Sequence, residues 1–401
     1  MAWKYALFVW FGALFSAGSW AQDLGPFTTT TDIGDLSRKT LVSYERSSGI
    51  YFISAAGENM WGERDAFGFV SKEMKGDAAI AARVRFMGKS AQAHRKAGVM
   101  FRQSLAPDSV YADVVVHGDG LTSLQYRAVA GGPTREIQCA QEAPTAIRLE
   151  KRGDWFQVLV ANEDGVFGAT GCLIKIVLRG TFHAGMAVCA HDNKAFENAR
   201  FSSVTVGPPP ERRSVRISAL EVVPLDSLDR RVIWYSSSPL EVPSFTARGD
   251  AVCFREGGHL MKLMLAGRSE PTPVGPENLE ECATAQPPIS AGQRIVGRVD
   301  GGRSQIWLEP TEGKDRQLTA NGRNHWQPRL APDAASFVYL SSAAKADRGR
   351  PGAGDYLLAQ RQLPDGEERV LAQFYGGPGS LGLSPWSADG RRIVFVSREP
   401  E

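Results

Sequence analysis

Two segments of the chain repeat one another, and that repetition narrows the fold more than any other feature. Ser387-Ala388-Asp389-Gly390-Arg391-Arg392-Ile393-Val394-Phe395-Val396 is a tight turn feeding an apolar strand, and Ala331-Pro332-Asp333-Ala334-Ala335-Ser336-Phe337-Val338-Tyr339-Leu340 has the same design. Weaker copies run from Ser290 to Val296 and from Thr246 to Phe254. Further strands and polar turns follow, as in Gln305-Ile306-Trp307-Leu308 before Gly313 and Gln317-Leu318-Thr319, and Tyr356-Leu357-Leu358 before Gly366 and Val370-Leu371. A repeat of roughly 40–55 residues with four strands per unit is the signature of a β-propeller. The last copy stops partway, at Ser397-Arg398-Glu399. Its missing outer strands are expected from Val215 to Val223 and Arg231 to Tyr235, which would close a ring of four blades and remove an exposed sheet edge.

The remainder of the chain also reads as strands. Apolar and polar residues alternate over Ile80–Phe86, Ala97–Gln103, Tyr111–Val116, Thr122–Arg127, Phe156–Val160 and Leu173–Leu178, with no long stretch of 3.6-residue period. Gly207-Pro208-Pro209-Pro210-Glu211-Arg212-Arg213 is the natural boundary, because consecutive prolines cannot join a ladder and favour an extended spacer. The expected layout is a β-sandwich over 22–206, a Pro-rich linker over 207–214 and a propeller over 215–401. A length of 401 residues suits that division, at about 150 residues per domain. A net charge of +2 gives no general reason to expect nucleic acid or an acidic membrane surface.

Residues 1–21 read as a secretory leader. Lys4 supplies the positive start, Tyr5 to Phe15 the apolar run, and Ser19-Trp20-Ala21 a small-x-small cleavage site before Gln22. The run is shorter than the ~20 residues needed to cross a bilayer, and no second one follows. The expected address is periplasmic or secreted, with no integral membrane segment after cleavage. Five cysteines fit an oxidising compartment, and none form a CxxC pair. Cys139 with Cys172 and Cys253 with Cys282 are candidate disulfides that spacing alone does not prove. Cys189, in an apolar run, is then a buried free thiol.

The ending Ser-x-Asp-Gly-Arg-Arg-Ile-x-Phe-Val-Ser, with Phe374-Tyr375-Gly376-Gly377-Pro378-Gly379-Ser380 before it, resembles the propeller repeats of TolB-like periplasmic proteins. His94-Arg95-Lys96-Ala97-Gly98-Val99-Met100-Phe101-Arg102, continuing through His117-Gly118-Asp119-Gly120 to Arg127, resembles a concanavalin-A-like sandwich of the lectin and glucanase type. The resemblances imply an all-β exported protein: an N-terminal jelly-roll sandwich followed by a small TolB-like propeller. They also imply carbohydrate as a ligand class. TolB-like propellers usually have six blades, and this chain has repeats for four.

Period-two alternation sorts the sandwich residues onto faces. If the strands ending at Arg102, His117 and Arg127 are neighbours, one sheet face carries Arg102, Tyr111, Asp113, His117, Gln125 and Arg127. Planar and bidentate donors of this kind suit glycan hydroxyls, and Trp61 is placed to stack on a sugar ring. The alternatives are a structural hydrogen-bonded face, or a catalytic one in which Asp113, Asp119 and Glu150 supply a glycosidase's two carboxylates. Asp119-Gly120 reads first as a hairpin turn, and no strand carries two acids in a compact motif. No HExxH, Gly-x-Ser-x-Gly or phosphate-loop pattern occurs, and His191-Asp192-Asn193 reads as an Asx turn before it reads as a calcium loop. Neither a metal nor a cofactor is expected. Trp326 and Trp386 are read as core or funnel-lining residues. The expectation is a non-enzymatic protein whose sandwich binds glycan or an envelope polymer such as peptidoglycan and whose propeller docks an envelope protein. An exported glycoside hydrolase or lyase is the competing reading.

Overall fold

The computed structural model describes residues 22–88, 92–211, 215–267, 269–276, 279–282, 294–300, 302–343 and 351–400; the expected leader over 1–21 lies outside them. The chain is all-β, with one helical turn, Leu279–Cys282, among the described residues. Among the described residues, no helix is long and apolar enough to cross a membrane.

The alternating segments form a sandwich. Sheet A runs in the order Thr29–Ile33, Phe67–Lys75, Thr181–Cys189, Lys96–Arg102, Tyr111–His117, Thr122–Arg127 and Arg135–Gln138. Sheet B runs Phe167–Lys175, Trp155–Ala161, Ile147–Arg152, Ala78–Phe86, Glu197–Gly207, Ile50–Ala55 and Leu41–Glu45. The inward positions of sheet A, such as Val99, Phe101, Val114 and Leu124, pack on Ile80, Leu149, Phe156 and Phe201 of sheet B. Phe101 lies 6.0 Å from Phe156 and 5.6 Å from Phe182 between ring centroids. Burying each such ring stabilises the core by about 1.5–3 kcal/mol. Cys139 is joined to Cys172 across 33 residues, with Cα atoms 6.0 Å apart; a loop of that length gives roughly 3–4 kcal/mol on the chain-entropy account.

Among the described residues, three separate blade-like sheets follow, and a fourth blade extends sheet A. Blade 1 holds Leu240–Phe245, Ala251–Glu256, His259–Met264 and Thr272–Pro273, and blade 2 holds Arg294–Asp300, Arg303–Glu309 and Arg316–Gln317. Blade 3 holds Asn324–Leu330, Ser336–Ser342, Gly354–Gln362 and Glu368–Gly376. A second disulfide joins Cys253 of blade 1 to Cys282 of the helical turn, and Cys189 is free and buried. The repeated turn has a common physical basis. Asp389 Oδ1 accepts the Arg391 amide at 3.0 Å and Asp333 Oδ1 accepts the Ala335 amide at 2.9 Å. Gly390 takes φ 68° at the point where the other copy strains Ala334 to φ 55°. Trp326 and Trp386 are both core residues of the propeller.

Blade 4 joins the two ends of the repeat region. Arg392–Arg398 pairs with Ser218–Pro224, matching Leu220 to Val396 and Val222 to Val394. Ser218–Pro224 in turn pairs with Arg230–Ser236. Blade 4 is thus completed by the strands that stand at the start of the repeat region.

The junction between the units differs from a simple spacer. Arg230–Ser236 also pairs, in parallel, with Arg135–Gln138 of the sandwich, so sheet A continues through blade 4 as one ten-stranded sheet. Ala219 and Val232 of blade 4 belong to the sandwich core. Gly171, at φ 81°, lies so near that a Cβ there would meet the Ala219 Cβ at 2.6 Å. Arg230, 1% exposed, donates to the Leu173 carbonyl of the sandwich at 3.1 Å and to the Gln373 carbonyl of blade 3 at 3.3 Å. It also pairs with buried Glu221 at 3.4 Å. One guanidinium thus ties the sandwich to two blades.

Candidate functional site

The residues expected to form a binding face do share one face of sheet A. Cross-strand register puts Arg102 opposite Tyr111 and Tyr111 opposite Arg127, with Asp113 opposite Gln125. That face is covered. Arg102, Tyr111, Asp113 and Arg127 have no exposed surface, and Gln125 and His117 have 1% and 4%. The cover is the chain's own hairpin, Met60–Trp61 and Arg64–Asp65. Met60 packs there with Phe67, Phe69, Met100, Val115 and Cys189 as a second small core.

Charge fixes the hairpin in place. Asp65 lies against both arginines: Arg127 reaches its two oxygens at 2.7 and 2.8 Å, and Arg102 reaches one at 2.9 Å. Arg127 Nη2 also donates to the Gly62 carbonyl at 3.0 Å, and Lys96 Nζ to Asn59 Oδ1 at 2.8 Å. Burial pushes the Asp113 carboxyl well above its usual range, against the opposing pull of Lys96. Burial, then the Lys96 charge, pulls His117 down to about 3. Trp61 faces inward to Lys96, whose Nζ stands 5.3 Å from the ring.

These contacts correct the expected glycan face. Arg102, Tyr111, Asp113, His117, Gln125 and Arg127 form a packed interior, and Trp61 is part of its lid, because a buried carboxylate between two guanidiniums seals them from solvent. Asp65 is the residue sequence reasoning missed; it lies 37 and 62 positions from its partners, and no local pattern marks it. The carboxylate trio is also not assembled. Asp113 faces outward from sheet A, Glu150 outward from sheet B, and exposed Asp119 caps a turn by accepting the Leu121 amide at 3.0 Å. Asp113 and Glu150 lie on opposite sides of the sandwich, whereas a glycosidase pair stands about 5–9.5 Å apart across one bond. Asp192 Oδ1 accepts the Lys194 amide at 2.8 Å, an Asx turn. Among the described residues no group of His, Cys, Asp or Glu is arranged to hold a metal.

The outer face of sheet B is open. Alternation along Ile147–Arg152 and Trp155–Ala161 brings Arg148, Glu150 and Arg152 beside Leu159, Gln157 and Trp155, in register. A cavity of about 420 Å³ lies over them, bounded by Phe167 and Val166 on one side and by Pro210, Arg216 and Glu399 on the other. Glu150 holds the two arginines upright, accepting from Arg148 at 3.4 Å and Arg152 at 3.0 Å. The Arg148 guanidinium lies 3.9 Å from the Phe167 ring centroid. The Trp155 ring is braced edge-on by Tyr375 of blade 3 at 6.1 Å. Among the described residues, three arginines face three glutamates around the cavity, Glu211 and Glu399 being the other two, so this part of the lining is close to neutral. Of this set only Glu150 was singled out from sequence. The alternation Arg148-x-Glu150-x-Arg152, a Gly153-Asp154 turn, then Trp155-x-Gln157 was the available signal.

No family model matches the chain. An uncharacterized protein of Agrobacterium fabrum is 29% identical over 183 residues, covering 45% of this chain. The chain spans 58% of that relative's length. Among solved structures, a candidate TolB from Agrobacterium tumefaciens aligns with a TM-score of 0.35 at 16% identity, covering 46% of this chain and 99% of that one. A family 7 alginate lyase bound to product aligns at 0.30 and 8% identity, covering 41% and 82%. Arcelin-5, a lectin-like defence protein of Phaseolus vulgaris, aligns at 0.30 and 8% identity, covering 44% and 96%.

Proposed function

We propose that this chain is an exported, non-enzymatic binding protein that takes a neutral glycan, or the glycan portion of an envelope polymer such as peptidoglycan, in the cleft on the outer face of sheet B. The observation that carries the reading is the lining of that cleft. Two aromatic rings, Trp155 and Phe167, flank a ladder of guanidinium, carboxylate and amide groups, and over the described lining as a whole three arginines meet three glutamates. Rings offer an apolar platform, and the planar polar groups offer the paired donors and acceptors that fix hydroxyls. A volume of about 420 Å³ falls in the usual range of about 300–1,000 Å³ for small-ligand sites. Export is supported by the leader pattern at 1–21 and by two disulfides, which persist in oxidising compartments.

The test is titration of the mature chain with neutral oligosaccharides and peptidoglycan fragments, followed by calorimetry. Binding weakened at least 10-fold by Phe167→Ala and by Arg148→Ala, with unchanged melting behaviour, supports the reading. Absence of binding at millimolar ligand, or binding indifferent to both changes, overturns it. Release of new reducing ends or unsaturated products from a bound glycan overturns the non-enzymatic part.

A further inference from the structure

A larger groove opens where the sandwich and the propeller diverge. Its volume is about 830 Å³, and its walls come from the sandwich edge at Gln138–Ala140, from the blade 4 strand at Val232–Tyr235 and from blade 1 at Leu263–Leu265. Two features of it point to the same kind of occupant.

The first is backbone. Arg230–Ser236 pairs with Arg135–Gln138 only at Arg230 and Arg231, after which the two strands separate. Beyond Arg231 no strand pairs with that edge among the described residues, although the opposite edge is paired as far as Ser236. A free strand edge presents alternate N–H and C=O groups to any extended chain laid beside it. The groove thus has a built-in ladder on one wall, and the disulfide-bonded Cys139 stands opposite.

The second is charge. Among the described residues, Asp119, Glu136, Glu142, Asp229 and Glu270 line the groove, against two arginines, Arg231 and Arg392, and no lysine. The whole chain carries +2, so this acidic excess is local. Between the acids lie apolar side chains, exposed Met264 and half-buried Trp234 among them. An occupant that satisfies both walls is extended, donates along its backbone, and alternates cationic with apolar side chains.

We infer that this groove docks an extended basic segment of another polypeptide, which adds as a strand to the free edge of Arg230–Ser236 while its Lys or Arg side chains meet the acidic rim. The occupant is a peptide because a sugar has no backbone ladder to offer. The inference gives the protein partner expected of the propeller a chemical class and a place, and it stands independently of the glycan cleft on sheet B.

The test uses the mature chain and fluorescein-labelled decapeptides, read by anisotropy. Saturable binding of alternating Lys-Val is expected, with none for alternating Glu-Val. Affinity should fall at least 10-fold when salt rises from 50 to 500 mM, as a screened charge contact requires. Methylating alternate backbone nitrogens of the Lys-Val peptide should abolish binding, because it removes the donors of one strand edge without touching the protein. Glu270→Gln, at an exposed rim position, should weaken binding several-fold while leaving the melting temperature in place. No binding of the Lys-Val peptide at 1 mM, or equal binding of the Glu-Val or methylated peptides, overturns the proposal.

Discussion

The outer face of sheet A and the outer face of sheet B carry similar inventories: arginines, a carboxylate between them, glutamine and aromatic rings at alternate positions. On sheet A the carboxylate, Asp65, arrives from a hairpin laid over the strands, and the ion pairs hold that hairpin shut. On sheet B the carboxylate, Glu150, sits on the same strand as its arginines, so the pairs only order a surface. The same residue types seal one face and furnish the other. The origin of the counter-charge, local or distant in sequence, decides which.

That contrast predicts a graded set of effects. Asp65→Ala strips two buried guanidiniums of the carboxylate between them and leaves only neutral partners such as the Ser104 and Gly62 carbonyls, a change that costs about 3–5 kcal/mol; urea unfolding should show it as a shift in midpoint. A loss below 1 kcal/mol would mean that the lid is not held by charge. His117 comes next. Its native pKa of about 3 lies below the ordinary 6.5, so between those values the unfolded chain takes up a proton that the native chain refuses. Stability therefore falls as pH drops from about 6.5 towards 3, by about 1.4 kcal/mol per unit from this group. Measured as the difference between the parent and His117→Gln at pH 7.5 and 5, the gap should narrow by roughly 2 kcal/mol at the lower pH. A gap that does not change with pH would place His117 in contact with solvent. The smallest effect belongs to sheet B. Arg148→Ala, on a partly exposed pair, should change stability by at most about 1 kcal/mol, its consequence being for ligand and not for folding. A loss as large as that of Asp65→Ala would make the two faces equivalent.

The contrast also marks what sequence can carry. Alternation placed Arg102, Tyr111, Asp113, His117, Gln125 and Arg127 on one face because the pleat imposes period two on every strand. It carries no information on whether that face is wet. The covering strands are two residues long each, too short for any periodicity, and their anchor Asp65 acts across long sequence separations. The shared blade 4 was legible because the Ser387–Val396 turn and strand lacked outer partners, and the apolar stretches within Ser218–Pro224 and Arg230–Ser236 were unassigned. The sheet B cleft was only half legible. Its floor alternates within one hairpin, but Gln157 meets Glu399 across 242 positions, and only the closed fold brings that wall to the floor. The sheet that runs unbroken from sandwich to blade 4 was hidden for the same reason, since Pro208 to Pro210 signal a spacer whatever lies on either side.

Blade 4 also imposes an order on assembly. Its second strand, Arg392–Arg398, has to slide between Trp386 and Ser218–Pro224, yet blades 1 to 3 are synthesised in the interval. Until then Ser218–Pro224 waits with one side bare, held on its other side by Arg230–Ser236 and, through that strand, by the sandwich. Domains generally fold N-terminal first during synthesis, so the sandwich, through Arg230–Ser236, offers Ser218–Pro224 as a template for the strand that completes blade 4. A nascent chain halted before Arg392 would present an apolar, sticky edge at just the stage when a newly made polypeptide is most open to proteases and to its own copies.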